Sequence, residues 1–168
     1  EIDSLHWHRQ LQIAFGPGFR VSAAKIEKNT LVLNLNNTGF SLFRYPYPLL
    51  NQPVHDPGFP LPVASLLDLA CMKLIAINQR GACKDFIDLK FIIEKTAYSM
   101  SDLLSAVGRK YNVGEEMFFQ IKKSLVYFDD AERDLNVNMF SAESETFERL
   151  SPEEWLKTKQ FFHEIASS

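Results

Sequence analysis

Apolar positions change their spacing several times along the chain, and each change predicts an element. Ile2, Leu5, Trp7, Leu11 and Ile13 recur at loosely helical intervals up to Phe15 and stop before Gly16-Pro17-Gly18, which reads as one short helix from Glu1 to Phe15 ended by a turn. From Arg20 to Tyr47 the pattern alternates: Val21, Ala23 and Ile26, then Leu31, Leu33 and Leu35, then Phe40, Leu42 and Tyr45. With turns at Lys28-Asn29 and Asn36-Asn37-Thr38-Gly39, this predicts three antiparallel strands joined by tight turns.

Between Pro46 and Pro62 stand six prolines, Pro46, Pro48, Pro53, Pro57, Pro60 and Pro62. Proline lacks the backbone donor, so neither ladder nor helix is expected and the segment reads as an extended connector. Ser65-Leu66-Leu67-Asp68 then has the form of a capping box, and the almost wholly apolar run through Ile77 predicts a buried helix ended by Gly81. A second helix spans Lys84 to Lys95 with Phe86, Ile87, Phe91 and Ile92 inward. A third runs from Ser101 to Tyr111 with a serine cap, and a fourth from Gly114 to Tyr127. Phe118, Phe119, Tyr127 and Phe128 are spaced as a packing stripe rather than a base-stacking surface. Asp129 to Glu148 reads as a solvated loop, and Ser151-Pro152-Glu153-Glu154-Trp155 opens a last helix that continues to Ala166. The expected architecture is α+β: a short antiparallel sheet of about three strands, then a mainly helical C-terminal bundle. The boundaries fall at 1–48 for the sheet region, 49–63 for the connector and 64–168 for the helical region.

Composition narrows the function classes. The 168 residues are 46% hydrophobic and 12% aromatic, enough to bury a core and too apolar for a disordered tail. Eighteen Lys and Arg against 21 Asp and Glu give a net charge of -3, so phosphate binding has to be local rather than a property of the whole surface. No stretch approaches the roughly 20 apolar residues of a membrane span. Cys71 and Cys83 are too few for a metal cluster, and the expected setting is the reduced cytoplasm, without membrane association. The first residue, Glu1, is not methionine, which reads as a truncated or processed chain.

The densest polar grouping lies where the two helices around Gly81 meet. Lys73 and Arg80 are seven residues apart, on one helix face, and Lys84, Asp85 and Asp88 open the next helix. Lys73 interrupts an apolar run, where an unpartnered charge would cost on the order of several kcal/mol. A bland reading stands beside the functional one: Asp85 caps a helix, Lys84 and Asp88 form an exposed pair contributing about 0.3 to 0.5 kcal/mol, and Lys73 reaches out to solvent. Of the other polar candidates, His6 and His8 flank Trp7 without further ligands nearby, and His55 and His163 are isolated. Cys71 reads as core, while Cys83 beside Lys84 sits where a helix start can lower a thiol pKa.

The stretch Ser65 to Leu89 resembles the signature Ser-x-x-Asp-x-Ala-x-x-Lys-x-x-Ala-x-x-x-Arg-Gly-x-x-Lys-Asp-x-x-Asp-Leu of the AbiEii/AbiGii abortive-infection toxin family, matching it at Ser65, Asp68, Ala70, Lys73, Ala76, Arg80, Gly81, Lys84, Asp85, Asp88 and Leu89. Phe43-Arg44-Tyr45-Pro46-Tyr47-Pro48 and Tyr127-Phe128-Asp129-Asp130-Ala131-Glu132 resemble flanking elements of the same family. The resemblance implies a polymerase β-like nucleotidyltransferase fold and transfer of a nucleoside monophosphate from a nucleoside triphosphate to an RNA or protein acceptor, with Mg2+, as the toxin of a toxin-antitoxin or phage-defence pair with a cognate antitoxin. It implies phosphate-facing roles for Lys73 and Arg80 and catalytic roles for Lys84, Asp85 and Asp88, the two acids orienting cations or contacting the acceptor. The family's Gly-Ser turn and Asp-x-Asp metal pair are not found in this sequence. Glu1-Ile2-Asp3 has the acid-x-acid spacing but reads as helix start, and Gly39-Phe40-Ser41-Leu42-Phe43 carries Ser41 where a third carboxylate is expected. A hydroxyl binds a divalent cation poorly, so the expectation is an incomplete or inactive catalyst or, alternatively, a non-catalytic nucleotide- or partner-binding module.

Overall fold

Asp3 begins the first element: its carboxylate accepts the His6 amide at 2.9 Å and caps helix α1, Ser4–Phe15. The structure, a computed structural model, describes residues 1–16, 18, 20–141 and 145–167. Of the expected Gly16-Pro17-Gly18 turn, Pro17 lies outside the described residues. Gly16 ends α1 at φ 69°, ψ -177°, a region that is essentially glycine's alone.

Three antiparallel strands follow in sequence order, β1 Val21–Glu27, β2 Thr30–Leu35 and β3 Thr38–Phe43. Asn36 and Asn37 both take positive φ, as a two-residue type I′ hairpin requires. That turn is tighter than the sequence suggests: Thr38 and Gly39 pair with Leu35 and Asn34 and belong to β3. Leu31 and Leu33 of the central strand are buried. The Ser4 hydroxyl donates to the Glu27 carbonyl at 2.6 Å and the Ile2 amide to Asn29 Oδ1 at 2.8 Å, tying the start of α1 to the β1–β2 turn.

The chain divides into two units, Glu1–Tyr47 and Pro48–Ser168. In the second, the proline-rich segment carries one isolated antiparallel bridge, with Val54 and Val63 exchanging N–H···O bonds of 2.7 and 2.9 Å. Neither residue is proline, so a single rung survives where no ladder was expected. Helix α2 covers Leu66–Arg80, with Ser65 as cap and Gly81 in the left-handed conformation, and α3 covers Cys83–Thr96. The buried stripe of α3 is Phe86, Leu89, Ile92 and Ile93; Ile87 is half-buried, and Phe91, expected inward, is exposed because it falls on the opposite side of the helix.

Helix α4, Met100–Tyr111, is capped by Ser99 rather than Ser101. Ser99 has Asp102 three residues on to close a capping box, whereas Ser101 has Leu104. Helix α5 is Glu115–Ser124, ending three residues before Tyr127. The expected loop from Asp129 holds a 3-10 turn, Ala131–Arg133, and an antiparallel hairpin of β4, Asn138–Ser141, with β5, Thr146–Arg149; Ala142 to Ser144, including Glu143, lie outside the described residues. Helix α6, Pro152–Ser167, closes the chain. It buries Trp155 and Phe162 on Phe86 with ring centroids 6.0 and 5.3 Å apart, and Phe128 meets Phe86 at 5.2 Å. The expected aromatic stripe is split: Phe128 is buried and Phe118 half-buried, but Phe119 and Tyr127 are exposed at 72% and 51%. The architecture is α+β as the pattern predicted, a three-stranded antiparallel sheet followed by a mainly helical part.

Candidate functional site

The site grows from the reversal at Gly81. Its φ of 54° turns the chain within two residues, so the first turn of α3 comes back against the last turns of α2. This brings Asp85, fully buried, between two cations of α2. Lys73 Nζ donates to Asp85 Oδ1 at 3.0 Å; Arg80 Nε donates to Oδ2 at 2.8 Å and its Nη2 to Oδ1 at 3.0 Å. Lys73 also pairs with Asp88, whose side chain is half-exposed. Of the five residues singled out from the sequence, four therefore form one network. The bland alternative fails in detail: Asp85 does not cap α3, which has no side-chain cap, and Asp88 is taken by Lys73 rather than Lys84. Lys84 is exposed and makes no ion pair among the described residues.

Burial pushes the Asp85 carboxyl up, but the hydrogen bonds and charges of Arg80 and Lys73 outweigh it and hold the group below its ordinary value. Burial pulls Lys73 down, and Asp88 and Asp85 more than compensate, so it titrates above its ordinary value. The Asp85 hydrogen bonds raise Arg80. All three stay charged at neutral pH.

Lys73, Lys84 and Asp88 line one cavity of about 640 Å3, with Lys90 beside them. The rest of its wall is mostly apolar: Leu66 and Leu69 of α2, Ile87 and Phe91 of α3, Met139 and Phe147 of the hairpin. The volume and the few charged groups at a mostly apolar wall suit a small ligand with an apolar body and an anionic end. Arg80, although it shares Asp85 with Lys73, lines two other clefts, of about 460 and 470 Å3; Lys84 also lines the second.

One buried charge pair escaped the sequence reading. Asp68 and Lys110 are both buried, 2.7 Å apart, and Lys110 Nζ also donates to the Pro48 carbonyl at 2.6 Å. Asp68 does not complete the capping box that its spacing from Ser65 suggests. Its oxygens accept instead from the Leu50 and Asn51 amides, the Ser65 hydroxyl and Lys110. Burial raises this carboxyl and those four donors lower it further than that, leaving it below its ordinary value. A signal for Lys110 existed: Leu103, Val107 and Lys110 recur at helical spacing and place the lysine on the buried stripe of α4.

Several of the remaining candidates have structural explanations. Glu1 pairs with Lys28 at 3.2 Å and Asp3 caps α1, so the acid-x-acid spacing there is spent on structure. Burial pushes both thiols up, Cys71 to about 11 and Cys83 to about 11, which overturns the lowered pKa expected of Cys83. His163 packs edge-on to Phe128 at 5.6 Å. Among the described residues no three His, Cys, Asp or Glu side chains converge to hold a metal ion.

A family model described as "Nucleotidyl transferase AbiEii toxin, Type IV TA system" matches residues 13–164. An uncharacterized protein of Aquifex aeolicus (strain VF5) is 38% identical over 132 residues, which cover 77% of this chain and 63% of that protein. The chain thus spans less than two thirds of the length of the curated relative it matches. No solved structure matches it.

Proposed function

The chain belongs to the AbiEii family of nucleotidyl transferase toxins, and from that premise we propose that it is the part of a transferase, with a polymerase β-like fold in its complete form, that binds a nucleoside triphosphate in the cavity at Lys73 and Lys84. The complete protein then moves the nucleoside monophosphate to an RNA or protein acceptor. The observation that carries the reading is the convergence of Lys73, Lys84 and Asp88 on one largely apolar cavity.

The residues divide by setting into those that line the cavity and those that hold them. The apolar wall excludes water and takes the base, where it strengthens every charge interaction nearby. Lys84, exposed and without an ion pair among the described residues, neutralises the phosphates and the departing pyrophosphate as the acceptor oxygen bonds to the α-phosphorus and the bond to the β-phosphate oxygen breaks. Lys73 lies along the same phosphates. Asp85 has no exposed surface and acts by holding Lys73 and Arg80 in place, while the half-exposed Asp88 reaches the acceptor hydroxyl. Arg80 lines two other clefts and supports the cavity through Asp85, which it shares with Lys73. Transfers of this kind draw on Mg2+ held by acidic side chains to offset phosphate charge; the described residues do not fit such a site, since no three metal-ligating side chains converge among them.

Calorimetry with nucleoside triphosphates on the chain tests the pocket. Lys84→Ala is the informative variant, because Lys84 supports no other side chain; binding about ten-fold weaker than wild type is expected, and equal binding by wild type, Lys84→Ala and Lys73→Ala sinks the phosphate role. The complete protein, incubated with labelled triphosphates, magnesium and RNA, should give a labelled acceptor.

A second reading is favoured by the same network: Asp85 satisfies Lys73 and Arg80 within the chain, as a non-catalytic nucleotide- or partner-binding module needs no more than. Triphosphate binding by the complete protein without transfer to RNA or protein would select it. The proposal carries with it a cognate antitoxin, a role in phage defence and a cytoplasmic location. Growth arrest on induction of the complete protein, relieved by the antitoxin or by Lys84→Ala, tests the first. No described helix is long and apolar enough to cross a membrane.

A further inference from the structure

Helix α5 is a ridge between two open clefts, and its crest is unlike the rest of a net-acidic surface. On the α4 side a cleft of about 920 Å3 is lined by Arg109, Phe118, Phe119 and Lys122. On the α2 side the 460 Å3 cleft is lined by Gln79, Arg80, Gln120, Lys123 and Tyr127. Phe119 is 72% exposed and shares one face of α5 with Lys122 and Lys123 at i+3 and i+4, while Tyr127, 51% exposed and hydrogen-bonded to Asp129, follows three residues beyond the helix end.

Charge sorts the occupant. Arg80, Arg109, Lys122 and Lys123 line the two clefts against two acids, Glu115 and Asp130; Asp130 is held by Arg133 at 2.9 Å and Arg80 by Asp85, which leaves Arg109, Lys122 and Lys123 against Glu115. In a chain of net charge -3 this is a local excess of cations. Arg80 is fixed by Asp85 through Nε and Nη2, which leaves Nη1 free of that carboxylate at the cleft. Rings left in water beside fixed cations match a polyanion with flat faces. A duplex hides those faces in its stack, whereas a single strand offers them. The carboxamides of Gln79 and Gln120, both exposed in the same cleft, add donors and acceptors for base edges.

We propose that α5 and its two flanking clefts bind a single-stranded nucleic acid, with Phe119 and Tyr127 stacking on bases and Arg80, Arg109, Lys122 and Lys123 contacting phosphates. Under the nucleotidyl-transfer reading this strand is the acceptor, so that role rests on it; the binding itself stands on the ridge alone.

Fluorescence anisotropy with one short mixed-sequence oligonucleotide, labelled and supplied as RNA, as DNA and as a duplex, tests it on the full chain. A single strand should bind more tightly than the duplex, and the RNA and DNA arms say which sugar is read. Affinity should fall steeply with salt as phosphate contacts release counterions. Phe119→Ala should weaken binding about ten-fold, and Lys122→Glu with Lys123→Glu should abolish it. Both variants alter exposed or half-exposed side chains, and an unchanged far-ultraviolet circular dichroism spectrum verifies their fold. Absence of single-strand binding at low salt, or binding by both folded variants equal to wild type, overturns the proposal. Lys84→Ala separates the two readings: oligonucleotide binding should be intact in it even where triphosphate binding is lost, whereas triphosphate binding that this variant weakens, with no single-strand binding by the wild type, would keep the cavity and remove the ridge.

Discussion

Asp85 and Asp68 are both fully buried carboxylates, yet their loss should differ. Asp68 faces a lysine as buried as itself, so Asp68→Ala leaves an ammonium sealed from water and should cost about 3 to 5 kcal/mol. Asp85→Asn strands Lys73 and Arg80, but Arg80 reaches solvent and Lys73 keeps Asp88, so about 2 kcal/mol is expected. Urea unfolding measures both. Each carboxyl titrates below its ordinary 3.8 in the folded chain, so below that value the unfolded chain binds protons first. The stability these groups supply is complete above about pH 4 and drains as pH falls through their folded values, and each variant should flatten the acid limb of stability against pH. Only one of the two pairs was legible beforehand. Arg80 and Asp85 lie five residues apart across a glycine stop, a spacing that local geometry interprets, whereas Asp68 and Lys110 are 42 residues apart and nothing local in either helix names the other.

At the scale of elements, the ends of α2 were readable, because caps are local chemistry: Ser65 and Gly81 bound it as expected, whereas α4 is capped by Ser99, two residues before the expected Ser101. The β4–β5 hairpin was not readable, since four-residue strands with one or two apolar positions each carry too short an alternation to stand out from a polar loop. Two helix-end predictions follow from backbone geometry. Ala97 closes α3 in the left-handed conformation at φ 54°, where a β-carbon is strained, so Ala97→Gly should raise stability by about 0.5 to 1 kcal/mol, read as a higher urea midpoint at unchanged slope. Gly108 in α4 is the reverse case. A β-carbon there would lie 3.0 Å from the Phe118 ring and 3.2 Å from the Val113 carbonyl, so Gly108→Ala should push α5 from α4 and cost about 1 to 3 kcal/mol.

Across the whole molecule, composition and periodicity gave an α+β chain with its helices last, but not the division of its core. The large buried apolar cluster, from Ala70 through Phe162, belongs entirely to the unit Pro48–Ser168. Residues 48–168 expressed alone should therefore keep a helical circular dichroism spectrum and a cooperative urea transition; a broad, non-cooperative one would mean that the core needs the sheet. Within this unit the Asp68–Lys110 pair joins three distant stretches, and its surroundings give it a direction. The acid, at the start of α2, accepts from the Leu50 and Asn51 amides, and the base, at the end of α4, donates to the Pro48 carbonyl. Helix dipoles favour the same order, negative at a beginning and positive at an end. The pair is thus not exchangeable. Reversing it, with Asp68→Lys and Lys110→Asp together, restores opposite charges but sets an ammonium against amide hydrogens and a carboxylate against a carbonyl oxygen. The double reversal should be no more stable than the worse single change, so the main chain, not the partner side chain, dictates which residue carries which sign.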